Sequence, residues 1–280
     1  MSAIETRSEQ VCFGGSLGLY AHDSAQTRTR MNFAVYLPPQ AKNGPVPALY
    51  YLAGLTCSEE TFVIKAGAQR LAAEYGLALV ACDTSPRGLN LPGDSESWDF
   101  GVGAGFYLDA TESPWAGHYR MGSYVNEELP ALIEANFPVR GDKRGIFGHS
   151  MGGHGALVTA LRNPQRWQSV SAFAPIANPC AVPWGEKGFG NYLGDDRRRW
   201  EEWDASLLIK AKAFPGKILV DQGEADQFLE KQLKPEALEA AAKVSGQALE
   251  LRRHAGYDHS YWFIQSFVAD HLAHHAQALK

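Results

Sequence analysis

The chain has 280 residues, of which 45% are apolar and 20% are charged, and its 13 Phe, 11 Tyr and 7 Trp are spread along it. This composition is typical of a globular protein and excludes a disordered tail, a collagen and a coiled coil. The formal net charge of −5 argues against nucleic acid as a partner, because nucleic-acid binding usually needs a basic face.

The sequence also indicates where the protein works. It contains no run of about 18 apolar residues that would span a bilayer, and its start, MSAIETRSEQ, lacks the apolar core of a signal peptide. The four cysteines, Cys12, Cys57, Cys82 and Cys180, form no C-x-x-C pair, which argues against zinc and thioredoxin-type motifs. We therefore expect free thiols, a cytoplasmic location, and no membrane partner, metal or cofactor.

Apolar runs of strand length alternate with helical patterns, and no repeat or linker divides the chain. The predicted strands are Met31–Leu37, Ala48–Leu52, Leu77–Cys82, Gly145–Gly148, Ser169–Pro175, Lys217–Asp221 and Leu249–Arg253. Several are continuously apolar, as expected for strands buried on both faces of a sheet. The alternation predicts a single α/β domain over residues 1–280, with a mostly parallel sheet and helices on both faces.

Two amphipathic helices are predicted in the first half of the chain. The first places one apolar set on a single helix face, namely Ile64, Ala68, Leu71 and Tyr75. The second does the same with Val125, Leu129 and Leu132. Pro130 lies within this second pattern, where we expect it to end or kink a turn. The Gly- and Pro-rich stretch from Thr84 to Tyr119 fits neither period, and a loop of that length is usually functional or flexible.

Two further helices are predicted near the end of the chain. Pro235 stands where it could start a helix over Glu236–Val244. The last helix runs from about Ser260 to Leu279 and places Ile264, Val268 and Leu272 on one face. It also carries His271, His274 and His275. Because no carboxylate or cysteine cluster accompanies these histidines, we interpret them as a water-exposed helix face rather than a metal site.

The sharpest motif is the GHSMG run from Gly148 to Gly152. It follows an apolar strand and precedes a helical pattern over Gly153–Leu161, which is the context of a nucleophile elbow. Such a turn strains the serine backbone, needs glycines beside it, and aims Ser150 above the carboxyl end of the sheet. A glycine-rich turn of no catalytic meaning is the alternative, since GxSxG alone recurs by chance. The flanking strand and helix favour Ser150 as a nucleophile.

A nucleophilic serine on this topology needs an acid and then a histidine, each after a later strand. The loop after the strand Lys217–Asp221 offers three carboxylates: Asp221, Glu224 and Asp226. Asp221 lies at the strand end, where we expect it to fix the turn, and Glu224 is expected to be a solvated loop residue. Asp226 lies deepest in the loop after the strand and is the predicted acid. Its alternative role is to cap the helix that begins near Phe228. His149 and His154 flank the serine as packing or supporting residues.

The general base is predicted from the position of its loop. His259 lies after the last strand and before the last helix, where this topology places the catalytic histidine. Its alternative role is that of a helix-start residue. For the oxyanion, one donor is the Met151 amide, directly after the nucleophile. The second is expected in the loop after an early strand, where Gly54 permits a bend and the Leu55 amide is our candidate.

Together these residues resemble the S-formylglutathione hydrolase (esterase D) family over essentially the whole chain. The matching segments are Tyr51–Cys57, Asp83–Gly88, Gly148–Gly153 (GHSMGG), Pro183–Lys187 and Gly256–Tyr261. The resemblance implies an α/β-hydrolase fold and hydrolysis of S-formylglutathione to glutathione and formate, a step of formaldehyde detoxification. It implies Ser150, Asp226 and His259 as the catalytic triad, in agreement with the topological choice. It also implies activity on small carboxylic esters and a homodimer.

This substrate suggests roles for residues near the site loops. A formyl group is small, so we expect a tight acyl pocket. Trp184 is a candidate to line it, although a tryptophan is equally typical of a protein core. Glutathione is anionic, so Lys187 and Lys65 are candidates to bind it, although both are equally typical of plain surface lysines. Cys57, two residues after Leu55, lies beside the site without being the nucleophile. It is a candidate for inhibition by thiol reagents.

Three other functions use the same residues or the same fold. A general short-chain carboxylesterase, for example one that acts on O-acetyl sugars, would have the same triad, and only its substrates would differ. An acyltransferase would pass the acyl group to an acceptor other than water. A binding protein on a dead hydrolase fold would lack a triad member, and all three are present here.

Overall fold

The computed structural model describes residues 3–280, and its core is built on one nine-stranded sheet. The strands are β1 (Ile4–Cys12), β2 (Gly15–Asp23), β3 (Arg30–Leu37), β4 (Val46–Leu52), β5 (Ala78–Cys82), β6 (Val139–His149), β7 (Ser169–Phe173), β8 (Ile218–Gly223) and β9 (Leu249–His254). Their order across the sheet is β1-β2-β3-β5-β4-β6-β7-β8-β9. Strands β1, β2, β3 and β5 pair antiparallel, and every pairing from β5 through β4 to β9 is parallel. The predicted mostly parallel sheet is confirmed.

Helices connect the parallel strands and cover the sheet. They are α1 (Glu59–Lys65), α2 (Gln69–Tyr75), α3 (Met121–Ser123), α4 (Leu129–Asn136), α5 (Met151–Arg162), α6 (Pro183–Leu193), α7 (Arg197–Glu201), α8 (Ala205–Ala211), α9 (Glu236–Ser245) and α10 (Tyr261–Ala278). Strand β7 is buried at all its residues, so both of its faces are covered. Within the described residues, no helix is both long and apolar enough to cross a bilayer.

The antiparallel hairpin of β1 and β2 is an addition that the hydrophobic pattern did not predict. Strand β1 is mostly polar, with the sequence IETRSEQVC, and most of its residues are exposed. An edge strand with neither face in the core carries no apolar run and no clean alternation. Its pairing with β2 is therefore invisible to a search for buried strands.

The single helix face predicted from Ile64 to Tyr75 is wrong. Two helices, α1 and α2, meet at Gly67, whose φ of +66° lies in the left-handed region and cannot continue an α-helix. Ile64 is 68% exposed as a result. The spacing of the apolar residues matched a single helix because both short helices, α1 and α2, have the same helical period and lie close together in the sequence.

Pro130 does not interrupt the second predicted helix. It is the second residue of α4, within a continuous helical run from Met121 to Asn136, and it has no amide with which to bond the preceding turn. The preceding residues, Tyr124–Glu128, form a wider π-type turn, in which the Leu129 amide donates to the Tyr124 carbonyl. The change of helix type accommodates the proline.

The stretch from Thr84 to Tyr119 is packed, although it contains little regular structure. Phe106, Tyr107 and Leu108 are fully buried. The Tyr107 hydroxyl donates to the Ala53 carbonyl over 2.8 Å. The segment is thereby attached to the loop after β4.

A buried chain of hydrogen bonds attaches α10 to the sheet. His271 Nε2 lies 3.2 Å from Asp221 Oδ2, and the Ser171 hydroxyl lies 2.8 Å from His271 Nδ1 and 2.8 Å from His275 Nε2. The Ser169 hydroxyl lies 2.6 Å from His275 Nδ1. Since a carboxylate only accepts, His271 must donate from Nε2. Each hydroxyl then donates to the Nδ1 of one histidine, Ser171 accepts from His275, and every donor in the chain is used with both rings neutral.

The expected water-exposed face of α10 is therefore wrong for His271 and His275, which are both fully buried. Burial lowers the pKa of His271 and lowers that of His275 well below its ordinary value. Burial disfavours the Asp221 carboxylate, yet hydrogen bonds from His271 and Arg252 hold its pKa below the usual range. Asp221 thus joins α10 and β9 to the end of β8, beyond its expected role in the turn.

We expect the free energy of unfolding to decrease as pH falls below about 6.5, because unfolded histidines bind protons that the buried ones exclude. Replacing His275 with Gln removes one such group and reduces the slope between pH 7 and pH 5, by up to about 1.4 kcal/mol per pH unit. Urea denaturation at pH 7, 6 and 5 measures the slope in both proteins. Equal slopes would contradict the assignment of His275 as a neutral buried ring.

Candidate active site

Ser150 lies at the junction of β6 and α5, in the centre of the sheet. Its φ of +57° and ψ of −120° lie outside the ordinary regions for a residue with a side chain. The Ser150 amide donates to the Phe173 carbonyl of β7 over 2.9 Å, and its carbonyl accepts from the His154 amide. The neighbouring strand and the following helix thus hold the strained residue from both sides.

Glycines make the close approach at this junction possible. A Cβ at Gly152 would overlap the Leu52 carbonyl oxygen, and one at Gly148 would overlap the Gly152 carbonyl. The end of β4 therefore runs directly against the serine turn. This explains in atomic terms why the motif needs glycine at both positions.

A second element of the site joins the loops after β8 and β9. Asp226 Oδ2 lies 2.5 Å from His259 Nδ1, and the Asp226 side chain is fully buried. Asp226 Oδ1 accepts from the Phe228 amide over 2.8 Å, so the residue also caps the local turn. Because the carboxylate only accepts, His259 carries its proton on Nδ1 and keeps Nε2 as the basic nitrogen.

The competing carboxylates are placed elsewhere. Asp221 is occupied by the buried chain on α10, and by two bonds of 2.6 Å from Arg252. Glu224 is exposed on its loop. Of the three carboxylates weighed from the sequence, Asp226 is therefore the one that contacts His259.

Ser150 and His259 open into one cavity of about 230 Å³. Its wall consists of Gly54, Leu55, Cys57, Thr61, Lys65, Trp98, His149, Ser150, Trp184, Phe228, His259 and Tyr261. The structure thus brings Leu55, Cys57 and Trp184 to the same cavity as the serine and the histidine. Met151 lies directly behind Ser150 as the first residue of α5, fully buried.

Lys187 is not brought to this cavity. Its Nζ lies 2.5 Å from Asp99 Oδ1 and donates to the Ser97 hydroxyl over 2.8 Å. The ion pair neutralises the lysine within the protein. Sequence proximity to Trp184 did not reveal it, because Asp99 belongs to the irregular stretch before α3.

The aromatic wall contains residues that sequence reasoning missed. Trp98 packs edge-on against Trp184, with ring centroids 5.6 Å apart. Phe228 lies between Trp184 and His259, at 4.7 Å and 5.1 Å. Phe228 and Tyr261 each lie two residues after a triad candidate in the sequence. This proximity could have predicted that they line the cavity. Trp98 carried no such signal.

Two side chains beside the site are held in their neutral forms. The His149 ring lies 4.4 Å from that of His259. Burial, and then the charge of His259, place the pKa of His149 well below its ordinary value. Burial raises the pKa of the Cys57 thiol, although the Thr61 hydroxyl and Lys65 oppose this. A protonated thiol is a poor nucleophile, in keeping with Ser150 rather than Cys57 as the attacking group.

The structure contains a second Ser–His–Asp arrangement, formed by Ser169, His275 and Asp221 in the buried chain on α10. Ser169 begins β7, at the amino end of the parallel strands, whereas Ser150 follows the carboxyl end of β6. Ser169 is 2% exposed, and His275 and Asp221 are fully buried. No elbow or helix N-terminus adjoins Ser169, so this set lacks the strained turn and the anion site that a nucleophile of this fold uses.

No metal-binding arrangement accompanies either set. Across residues 3–280, no three His, Cys, Asp or Glu side chains are grouped so as to hold a metal ion.

Comparison with known proteins places the chain in a family. Residues 24–274 match the family described as "Putative esterase". The chain is 53% identical to the S-formylglutathione hydrolase of Mus musculus and 54% identical to that of Paracoccus denitrificans, over 99% of both chains in each case. A solved structure of the S-formylglutathione hydrolase of Agrobacterium tumefaciens superposes with a TM-score of 0.96 at 49% identity, over 99% of this chain and 100% of that one.

Identity of this extent over the whole chain confirms the resemblance inferred from the motifs. The parallel sheet and the strained serine between β6 and α5 are those of an α/β-hydrolase, and Asp226 and His259 follow β8 and β9, where this fold places an acid and a histidine. The chain belongs to the S-formylglutathione hydrolase family of esterases.

Proposed function

We propose that the protein hydrolyses S-formylglutathione to glutathione and formate with a triad of Ser150, His259 and Asp226. The observation that carries this proposal is the Asp226–His259 contact of 2.5 Å at a cavity that His259 shares with the strained Ser150. The names of the relatives supply the substrate. The aromatic side chains of the cavity wall, Trp98, Trp184 and Phe228, exclude water from the place where the acyl group is transferred.

The first half of the reaction forms a formyl-serine. Ser150 Oγ attacks the formyl carbon while His259 Nε2 takes its proton. Asp226 keeps the ring in the required tautomer and stabilises the imidazolium. When the tetrahedral intermediate collapses, the carbon–sulfur bond breaks and the proton on His259 passes to the glutathione sulfur. A thiolate leaves more easily than an alkoxide, so this protonation is less demanding than for an ester.

The second half releases formate. Water attacks the formyl-serine as His259 accepts one of its protons. The carbon–oxygen bond to Ser150 then breaks, and the proton returns to Ser150 Oγ. No cofactor or metal is needed for either half.

Two backbone amides are proposed to hold the oxyanion. Met151 begins α5, so its amide has no intrahelical acceptor and belongs to the positive end of the helix. In the loop after β4, Thr56 donates to the Gly103 carbonyl and Cys57 to the Gly54 carbonyl. Because the Thr56 and Cys57 amides already donate to these carbonyls, the Leu55 amide is favoured as the second hydrogen-bond donor to the oxyanion.

The acyl side of the cavity suits a small group. Trp184 lines it together with Phe228, Trp98 and the protonated Cys57 thiol. We propose that these side chains exclude long acyl chains by size. The remaining alternative is a general short-chain carboxylesterase, because the same triad would serve both reactions.

We retain four further predictions about the whole protein. It acts in the cytoplasm in formaldehyde detoxification, it is a homodimer, it forms one domain, and it engages neither nucleic acid nor membranes. The free state of all four cysteines in the structure supports a reducing compartment. The continuous nine-stranded sheet supports a single domain.

The two serines provide a matched test of the nucleophile. Ser150→Ala should reduce turnover of S-formylglutathione by about 10⁴-fold or more and abolish labelling by a fluorophosphonate probe. Ser169→Ala should retain labelling and most of the activity, since Ser169 lies at the end of the buried chain and does not line the cavity. Thioester assays and mass spectrometry of the probe adduct measure the outcome. Labelling on Ser169, or substantial activity in Ser150→Ala, would overturn the assignment.

Asp226→Asn tests the acid. The amide preserves the shape but allows the wrong histidine tautomer, so kcat should fall by about 10⁴-fold while the circular dichroism spectrum stays unchanged. Activity near the wild-type level would transfer the role to another carboxylate.

A substrate panel distinguishes the two candidate functions. We expect kcat/KM for S-formylglutathione to exceed that for p-nitrophenyl acetate, and activity to decline steeply from acetyl to butyryl esters because the aromatic wall excludes them. Initial-rate measurements on one preparation give the comparison. A preference for acetyl or longer esters over the thioester would favour the general carboxylesterase.

A further inference from the structure

The charge of the active-site cavity differs in sign from that of the protein. Lys65 lines it, and no aspartate or glutamate does, although the chain as a whole carries −5. Lys65 is exposed, so it stands where the cavity meets solvent. The wall beside it is otherwise aromatic, apolar or uncharged apart from the histidines.

This lysine has no carboxylate partner. Among the described residues, no aspartate or glutamate lies within ion-pair distance of Lys65, whereas Lys187 is neutralised by Asp99. The nearest ring contact of Lys65 is with Tyr261, whose centroid lies 5.8 Å from Nζ. A ring face leaves the ammonium free to bind an anion.

The backbone of Lys65 is fixed relative to the histidine. Lys65 is the last residue of α1, and its carbonyl accepts from Gln265 Nε2 of α10 over 2.6 Å. Helix α10 begins two residues after His259. The Tyr261 hydroxyl, in the first turn of α10, lies 3.2 Å from that of Tyr51 on β4. These contacts fix the backbone from which the Lys65 side chain extends, relative to the loop that carries His259.

We propose that Lys65 Nζ binds a carboxylate on the thiol half of the substrate, and that it thereby selects anionic thiol leaving groups over neutral ones. This inference rests on the proposed function and adds the residue that recognises the leaving group. The contact forms at the mouth and is the same before and during bond breaking. It therefore lowers KM and leaves kcat unchanged.

The experiment measures binding of an uncleavable analogue, so that it does not depend on thioester turnover. S-Methylglutathione is titrated as a competitive inhibitor of p-nitrophenyl acetate hydrolysis by wild type, Lys65→Met and Lys65→Arg. Methionine keeps the apolar stem without the charge. Lys210→Met removes an exposed lysine of α8 that does not line the cavity and serves as the control.

We expect the inhibition constant to rise about fivefold in Lys65→Met, within the range for an exposed ion pair, and to recover in Lys65→Arg. The kcat/KM for the neutral ester and the inhibition constant should both stay at the wild-type level in the control Lys210→Met, which does not line the cavity. Raising the salt concentration should weaken inhibition of wild type and leave Lys65→Met nearly unaffected. An inhibition constant that is equal in wild type and Lys65→Met, or no inhibition of wild type, would overturn the proposal.

Failure of the proposed function has a different signature. A wild-type enzyme that hydrolyses p-nitrophenyl acetate but not S-formylglutathione would refute that function. The Lys65 contact would still be judged by the inhibition constants.

Discussion

The strained backbone of Ser150 is the constraint around which the site is arranged. A φ of +57° in a non-glycine residue is unfavourable on its own, and it persists here because β6 lies between β4 and β7 in the sheet. Strand β7 supplies the acceptor for the Ser150 amide, and β4 approaches so closely that only glycine fits at position 152. The same turn begins α5, which brings the Met151 amide and the positive helix end to the serine.

Two histidine–carboxylate contacts in this protein show how the surroundings determine a role. His259 and Asp226 lie on loops at a cavity, and the His259 side chain keeps 14% exposure, enough to exchange protons with a substrate. His271 and Asp221 are both fully buried, and their hydrogen bonds continue through Ser171 to His275 and Ser169. In the proposed mechanism the first pair transfers protons, whereas the hydrogens of the buried second pair have no path to a substrate. The second nevertheless serves the first, because it fastens α10, the helix that begins just after His259.

The parts of the site that the sequence revealed are those encoded within a few residues. The serine motif carried its own strand, glycines and helix, and the order of later strands led to Asp226 and His259. The pairing of Lys187 with Asp99, and the burial of His271 and His275, depend on contacts between distant segments, for which a single sequence holds no periodic signal. The polar strand β1 and the break at Gly67 were missed for a related reason. The spacing of apolar residues indicates which face of an element is buried, and neither an exposed strand nor a helix break requires a buried face.

In the proposed reaction, the cavity divides recognition of the substrate between two kinds of interaction. Aromatic rings and a neutral thiol surround the acyl side, where small size is the only property a formyl group offers. The thiol side carries charge, and an anion approaching a protein of net charge −5 gains no long-range attraction. Screening limits such fields to about 10 Å at moderate salt, so recognition has to come from a cation at the mouth itself. Lys65, which has no carboxylate partner among the described residues and lines the same cavity as His259, meets this requirement. It adds no charge at the reacting carbon, where the backbone amides of Met151 and Leu55 are the proposed oxyanion donors.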